Sequence, residues 1–167
     1  MAETGAWITD ESDLSMIVSA QRAALDHWRA ARVSSDDVPC RNAIDPPLAL
    51  PAVLPVMIMF EIDRPEGVGS RQRSYRYRLL GTELVTRAGR DLTGKLLHEV
   101  FEPEEIKADL EIYRELERRR CPYIGSRVSI IPKRQAFETY RRLLMPLRAT
   151  EADRIDRIWC VIDFSEA

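Results

Sequence analysis

Hydrophobic and polar positions alternate most cleanly between Ser74 and Leu80, where the chain reads Ser-Tyr-Arg-Tyr-Arg-Leu-Leu. Successive side chains of a strand point to opposite sides, so this alternation predicts a strand with Tyr75, Tyr77 and Leu79 on one face and Arg76, Arg78 and Leu80 on the other. Val56–Asp63 predicts the preceding strand, with apolar residues at both parities until Glu61. Arg64–Ser74, polar and holding Gly67 and Gly69, is a hairpin loop; no Lys-Ser pair follows these glycines, as a phosphate loop would need. Three further strands are expected over Pro122–Ile131, Phe137–Ala149 and Arg154–Phe164, the last two joined by a turn at Thr150–Arg154.

Helical spacing takes over elsewhere. Leu14, Ile17, Val18, Gln21, Leu25 and Trp28 fall on one stripe, with Thr9, Asp10 and Ser12 upstream as candidate N-caps. A short helix is expected over Thr82–Ala88, a turn over Asp91–Gly94 and a brief apolar piece over Leu96–Phe101. A longer helix opens at Pro103, with Ile106, Leu110, Tyr113 and Leu116 or Glu117 facing inward. Glu104, Glu105 and Asp109 read as its solvated first turns. The order is one helix, two strands, a helical middle and three strands, which indicates an α+β fold around a five-stranded antiparallel sheet. Short helices cover one face, and the N-terminal amphipathic helix, or a second copy of the chain, covers the other. Three regions follow: an N-terminal helix and cap over 1–36, a proline-rich connector over 37–56, and a core over 57–164.

Composition narrows the class without naming a chemistry. The 167 residues suffice for one domain, and a net charge of −2 recruits neither nucleic acid nor anionic lipid. The apolar run Leu48–Phe60 is broken by Pro51 and Pro55 and is too short for a membrane span. The acidic N-terminus lacks the pattern of a secretion signal, and three widely spaced cysteines give no disulfide framework, so a cytoplasmic location is expected.

Several pieces, in order, resemble a known family: Trp28-Arg29, Ile44-Asp45-Pro46, Leu54-Pro55, Tyr-Arg-Leu-Leu-Gly-Thr at 77–82 and Gly-Arg-Asp-Leu-Thr-Gly at 89–94. Together with Leu97-x-x-x-Phe101 they are similar to the PAS sensory domains, and most of all to short bacterial proteins made of one such domain. The resemblance spans Ala24 to Phe164. It implies a sensory or signalling role, played by binding a small molecule, a protein partner or both. With no output domain expected in this length, the output would be another molecule.

The candidate pocket combines Tyr77, Leu84, Phe101 and Tyr113 with the apolar parities of the last two strands. These are Leu143 and Met145, with Arg141 at the rim, and Ile158 and Cys160. It would suit an apolar or weakly acidic metabolite; the same residues could instead close on one another as core. For the N-terminal helix, Leu14, Ile17, Val18, Leu25 and Trp28 are the candidate contact for a homodimer or a signalling partner.

Other chemistry finds little support. His27 and His98 are the only histidines and do not stand at metal-ligand spacing; no metal site is expected. His98 lies near the expected pocket, but no haem is expected there. Cys40 lies before the first strand, the wrong place for a flavin-reactive thiol, so no flavin is expected either. No nucleophile motif is present, and no catalytic role is expected. The Arg-Tyr alternation, Arg118–Arg120 and Arg141-Arg142 would be the parts of a nucleic-acid surface, the weakest of the alternatives.

Overall fold

The computed structural model describes residues 5–10, 12, 14, 15, 17–44, 49–65, 73–131 and 136–164, with the side chains of 129–131 and 136–138 excepted. The Asp45-Pro46 part of the connector turn and the loop around Gly67 and Gly69 lie outside the described residues. Five strands fall where the pattern predicts them: β2 (Met57–Asp63), β3 (Ser74–Leu80), β4 (Tyr123–Ile131), β5 (Ala136–Arg148) and β6 (Ile155–Asp163). A sixth, β1 (Gly5–Trp7), is an addition to the expected five. It pairs with the outer edge of β4, and all pairings are antiparallel in the order β1-β4-β5-β6-β2-β3. The Trp7 ring lies 5.0 Å from that of Tyr123, and the Arg119 guanidinium caps Trp7 at 5.0 Å. Three residues of irregular polarity give no alternation to read.

Helix α1 (Ser19–Ala30) begins later than expected, and no side chain caps its first turn. Thr9, Asp10 and Ser12 have other work. The Ser12 hydroxyl accepts a hydrogen bond from the Thr9 amide at 2.9 Å, and Asp10 pairs with Arg32 at 3.0 Å and Arg29 at 3.6 Å near the far end of the helix. The α1 stripe rests on the sheet of its own chain. The Gln21 side-chain amide donates to the carbonyls of Arg141 (3.2 Å) and Val161 (3.1 Å), and the Trp28 indole donates to that of Pro146 at 2.8 Å. Gln21, Leu25 and Trp28 are buried, whereas Leu14, Ile17 and Val18 are half-buried. The expectation that Leu25 and Trp28 meet a partner is therefore corrected: within one chain they already cover the sheet.

On the opposite face α4 (Leu97–Val100) packs against β3 and α5 (Pro103–Arg119) against β5, while α3 (Thr82–Ala88) packs against the turn at Leu54–Val56; α2 is the short helix Arg41–Ile44. Cross-strand register decides which side chains look that way. Arg142 lies opposite Ile162, Leu144 opposite Cys160 and Pro146 opposite Ile158, while Ile58 and Phe60 of β2 oppose Cys160 and Ile158 in turn. The other parity, Leu143 opposite Val161 and Met145 opposite Trp159, faces α1, where His27 meets the Trp159 ring edge-on at 6.3 Å.

Strand β3 departs from simple alternation. Its register against β2 shifts between Met59 and Phe60, so Arg78 is an extra residue, and Tyr75, Tyr77 and Leu80 oppose Ile62, Phe60 and Ile58. The expected face of Tyr75, Tyr77 and Leu79 is thus corrected at its last member. Beyond the bulge, Gly81 is buried where the backbone turns into α3. A Cβ there would sit 2.5 Å from the Leu54 carbonyl oxygen and closer still to that of Pro55. These are backbone atoms and cannot swing aside, so Gly81→Ala is expected to cost about 1–3 kcal/mol in urea unfolding. Gly94→Ala makes the control: φ is +87° but no atom lies within 4 Å, leaving only the left-handed strain of about 1–2 kcal/mol. The Gly94–Leu96 segment closes the outer edge of β3, with amide bonds from Gly94 to the Tyr77 carbonyl (2.7 Å) and from Tyr77 to that of Lys95 (2.9 Å).

Candidate functional site

Helix α5 starts at Pro103, and the Glu105 carboxylate accepts the Glu102 amide at 2.8 Å, satisfying one of the donors that a first turn leaves open. Its buried stripe is Ile106, Asp109, Tyr113 and Leu116. Asp109 takes the place expected for Leu110, which is half-buried, and the reading of Asp109 as a solvated residue is corrected. The carboxylate is 2% exposed because two arginines of the sheet receive it. Arg142 of β5 meets one oxygen at 2.7 Å, and Arg127 of β4 meets the other. Arg127 also donates to the Glu105 carbonyl at 3.2 Å, a second tie between β4 and α5.

This ionic cluster borders a cavity of about 50 Å³ between α4, α5 and the sheet. Phe60, Tyr77 and Tyr113 form its aromatic wall, with ring centroids 4.9 Å (Phe60–Tyr77) and 5.5 Å (Phe60–Tyr113) apart. Leu97, Phe101, Tyr140 and Cys160 complete the lining with Ile58 and Ile162. Of the residues expected here, Tyr77, Phe101, Tyr113 and Cys160 are brought together. Ile158 shares the face of Cys160 but lies beyond the cavity, and Leu84 is buried in α3 away from it. Arg141, Leu143 and Met145 are corrected: their parity faces α1, and Arg142 with Tyr140 lines the cavity instead. Asp109, Arg127 and Arg142 are the members that sequence reasoning missed. The one available signal was that Asp109 stands one helical turn before Tyr113.

Burial pushes the phenols of Tyr77 and Tyr113 well above their ordinary range, so both are neutral hydroxyls at physiological pH. Tyr75 is raised likewise, first by burial and then by the Glu117 carboxylate, which accepts its hydroxyl at 3.3 Å. A folded-state value above the unfolded one of about 10 leaves stability whole below pH 10 and erodes it as pH rises beyond. The limiting loss is about 1.4 kcal/mol per pH unit for each such tyrosine, but the unfolded phenol is only half ionised at about pH 10, so each loses about 1 kcal/mol and the three together about 3 kcal/mol between pH 10 and 11. Urea unfolding across that interval checks this; a slope unchanged in Tyr113→Phe would assign the loss elsewhere.

The remaining candidates lie elsewhere. His98 is exposed on α4, and among the described residues no group of three histidine, cysteine or acidic side chains could hold a metal. Cys40 precedes α2 and bridges to Arg148 of β5, remote from the cavity lining. Arg141 and Arg142 are buried, whereas Arg118 and Arg119 stay exposed at the end of α5 and pair with Glu115. Tyr75 and Tyr77 are core residues, which removes the stacking platform. No helix among the described residues is long and apolar enough to cross a membrane.

The model of the PAS domain matches residues 16–162. The chain belongs to the PAS domain family. The fold of this PAS domain is also found in a solved structure described as an RNA-binding Light-Oxygen-Voltage receptor, with a TM-score of 0.51 at 10% identity. That match covers 98% of this chain and 38% of the receptor chain. No curated protein matches the sequence. A haem or a flavin does not fit the cavity as it stands, since sites for ligands of that size occupy about 300 Å³ or more.

Proposed function

We propose that this PAS domain acts as a non-catalytic sensor whose cavity takes a small molecule and whose response is read by a partner protein. The observation that carries the reading is the Asp109–Arg127–Arg142 cluster, which ties α5 to β4 and β5 beside the cavity. A buried ionic cluster adds little stability over an apolar one of the same shape, and its place beside the cavity suits it to respond to a ligand. A ligand touching it has a direct lever on α5, and one that favours one placement of the helix shifts the population toward that placement. Homodimerisation through the half-buried Leu14, Ile17 and Val18, and a cytoplasmic location, belong to the same proposal.

A second reading, a constitutive adaptor with a filled core, is favoured by the small volume of the cavity. The RNA binding of the receptor with this fold offers a third. Native mass spectrometry of the purified chain separates them. A non-covalent mass lost on denaturation, or a metabolite that raises the melting temperature, supports the sensor. A bare chain inert to such a screen supports the adaptor, and salt-sensitive retention of RNA supports the third.

A further inference from the structure

Tyr77 and Tyr113 line the cavity, and both residues are at least nine-tenths buried. Among the described residues neither hydroxyl has a hydrogen-bond partner, in contrast to Tyr75, whose hydroxyl is held by Glu117. A neutral phenol can donate one hydrogen bond and accept another, so a polar group entering the space beside these rings would find partners there. The same space is bordered by the guanidiniums of Arg127 and Arg142, which match a carboxylate in charge and in the fork of their donors. The volume of about 50 Å³ admits only a few waters, or an organic molecule of a few heavy atoms.

We infer that the cavity ligand is a short-chain carboxylate of about two to four carbons, its oxygens taken by the Tyr77 and Tyr113 hydroxyls and the Arg127–Arg142 pair, its short apolar end against Phe60. The inference rests on the sensor reading above and gives it a ligand class. Asp109 is then the carboxylate that the chain itself presents to the two arginines. A ligand carboxylate competes with it for the same donors and loosens α5 from the sheet.

The test is calorimetric titration of the whole chain with acetate, propionate and pyruvate, alongside acetamide and propionamide as uncharged molecules of like shape. Carboxylates are expected to bind at least tenfold more tightly than the amides. Tyr77→Phe, which keeps the ring packing, should weaken them about five- to tenfold at an unchanged far-ultraviolet spectrum. Asp109→Asn should tighten them at least tenfold by removing the competitor. Where that variant is too unstable to titrate, the Tyr77→Phe result decides. Equal binding of acids and amides, or carboxylate binding indifferent to Tyr77→Phe, would overturn the assignment. A neutral metabolite that binds when the acids do not would sink the carboxylate and leave the sensor standing. Failure of every small molecule in a wide screen would remove both.

Discussion

Asp109→Ala is expected to lower the stability of the PAS domain by about 3–5 kcal/mol, the range for breaking a buried ion pair by removing one partner. The carboxylate itself is a small loss. The cost lies in the two guanidiniums left behind, Arg127 and Arg142, whose side chains are 18% and 4% exposed and which then face each other without the charge between them. Asp109→Asn should cost less, because its amide oxygen still accepts a hydrogen bond. Replacing all three members together, Asp109→Leu with Arg127→Met and Arg142→Met, should recover most of the loss or exceed it, since well-packed apolar groups of similar volume carry no desolvation penalty. Denaturant unfolding of the single and triple variants reads this out. A triple variant no more stable than Asp109→Ala would show that the cluster contributes net stability of its own.

That cluster also marks where the sequence ceased to be informative. The alternation at Ser74–Leu80, the proline-punctuated connector and the turn at Thr150–Arg154 each carry their own backbone signature, so the five main strands and their antiparallel character could be read directly, though not their order in the sheet. The α5 stripe could not be settled to the residue. A 3.6-residue period admits Ile106–Leu110–Tyr113 as readily as Ile106–Asp109–Tyr113, and hydrophobicity favours leucine. What selects Asp109 is a pair of arginines 18 and 33 positions further along, brought over it by β4 and β5. The pocket face of β5 was misread for a related reason. Both of its parities are buried, and the apolar one, Leu143 and Met145, belongs to the dry layer under α1. The parity that borders the cavity is the mixed one, Tyr140 and Arg142, as befits a site that must hold something polar. The bulge at Arg78 was invisible because a register shift leaves both neighbouring strands looking regular in sequence.

Removing residues 1–30 should abolish soluble expression, the largest effect anticipated for any change to this chain. The deletion takes away α1 and uncovers the sheet face formed by Leu143, Met145, Trp159 and Val161, all 0% exposed in the intact chain. Four large apolar residues adjoining one another across paired strands make a patch of the sort that associates in water. The carbonyls of Arg141, Val161 and Pro146 lose the Gln21 and Trp28 donors as well. Trp28 provides a graded version of the same experiment. Trp28→Ala should cost about 3–5 kcal/mol by cavity formation. Trp28→Phe keeps most of the ring, and its cost of about 1–3 kcal/mol would reflect the lost bond to the Pro146 carbonyl together with the smaller volume. Size-exclusion chromatography then bears on the dimer. A destabilised Trp28→Phe chain with an unchanged elution volume places Trp28 inside the protomer, whereas a well-folded chain that shifts from dimer to monomer would return the helix to an interface between copies. A soluble, cooperatively unfolding chain lacking 1–30 would overturn the role of α1 as the cover of this face.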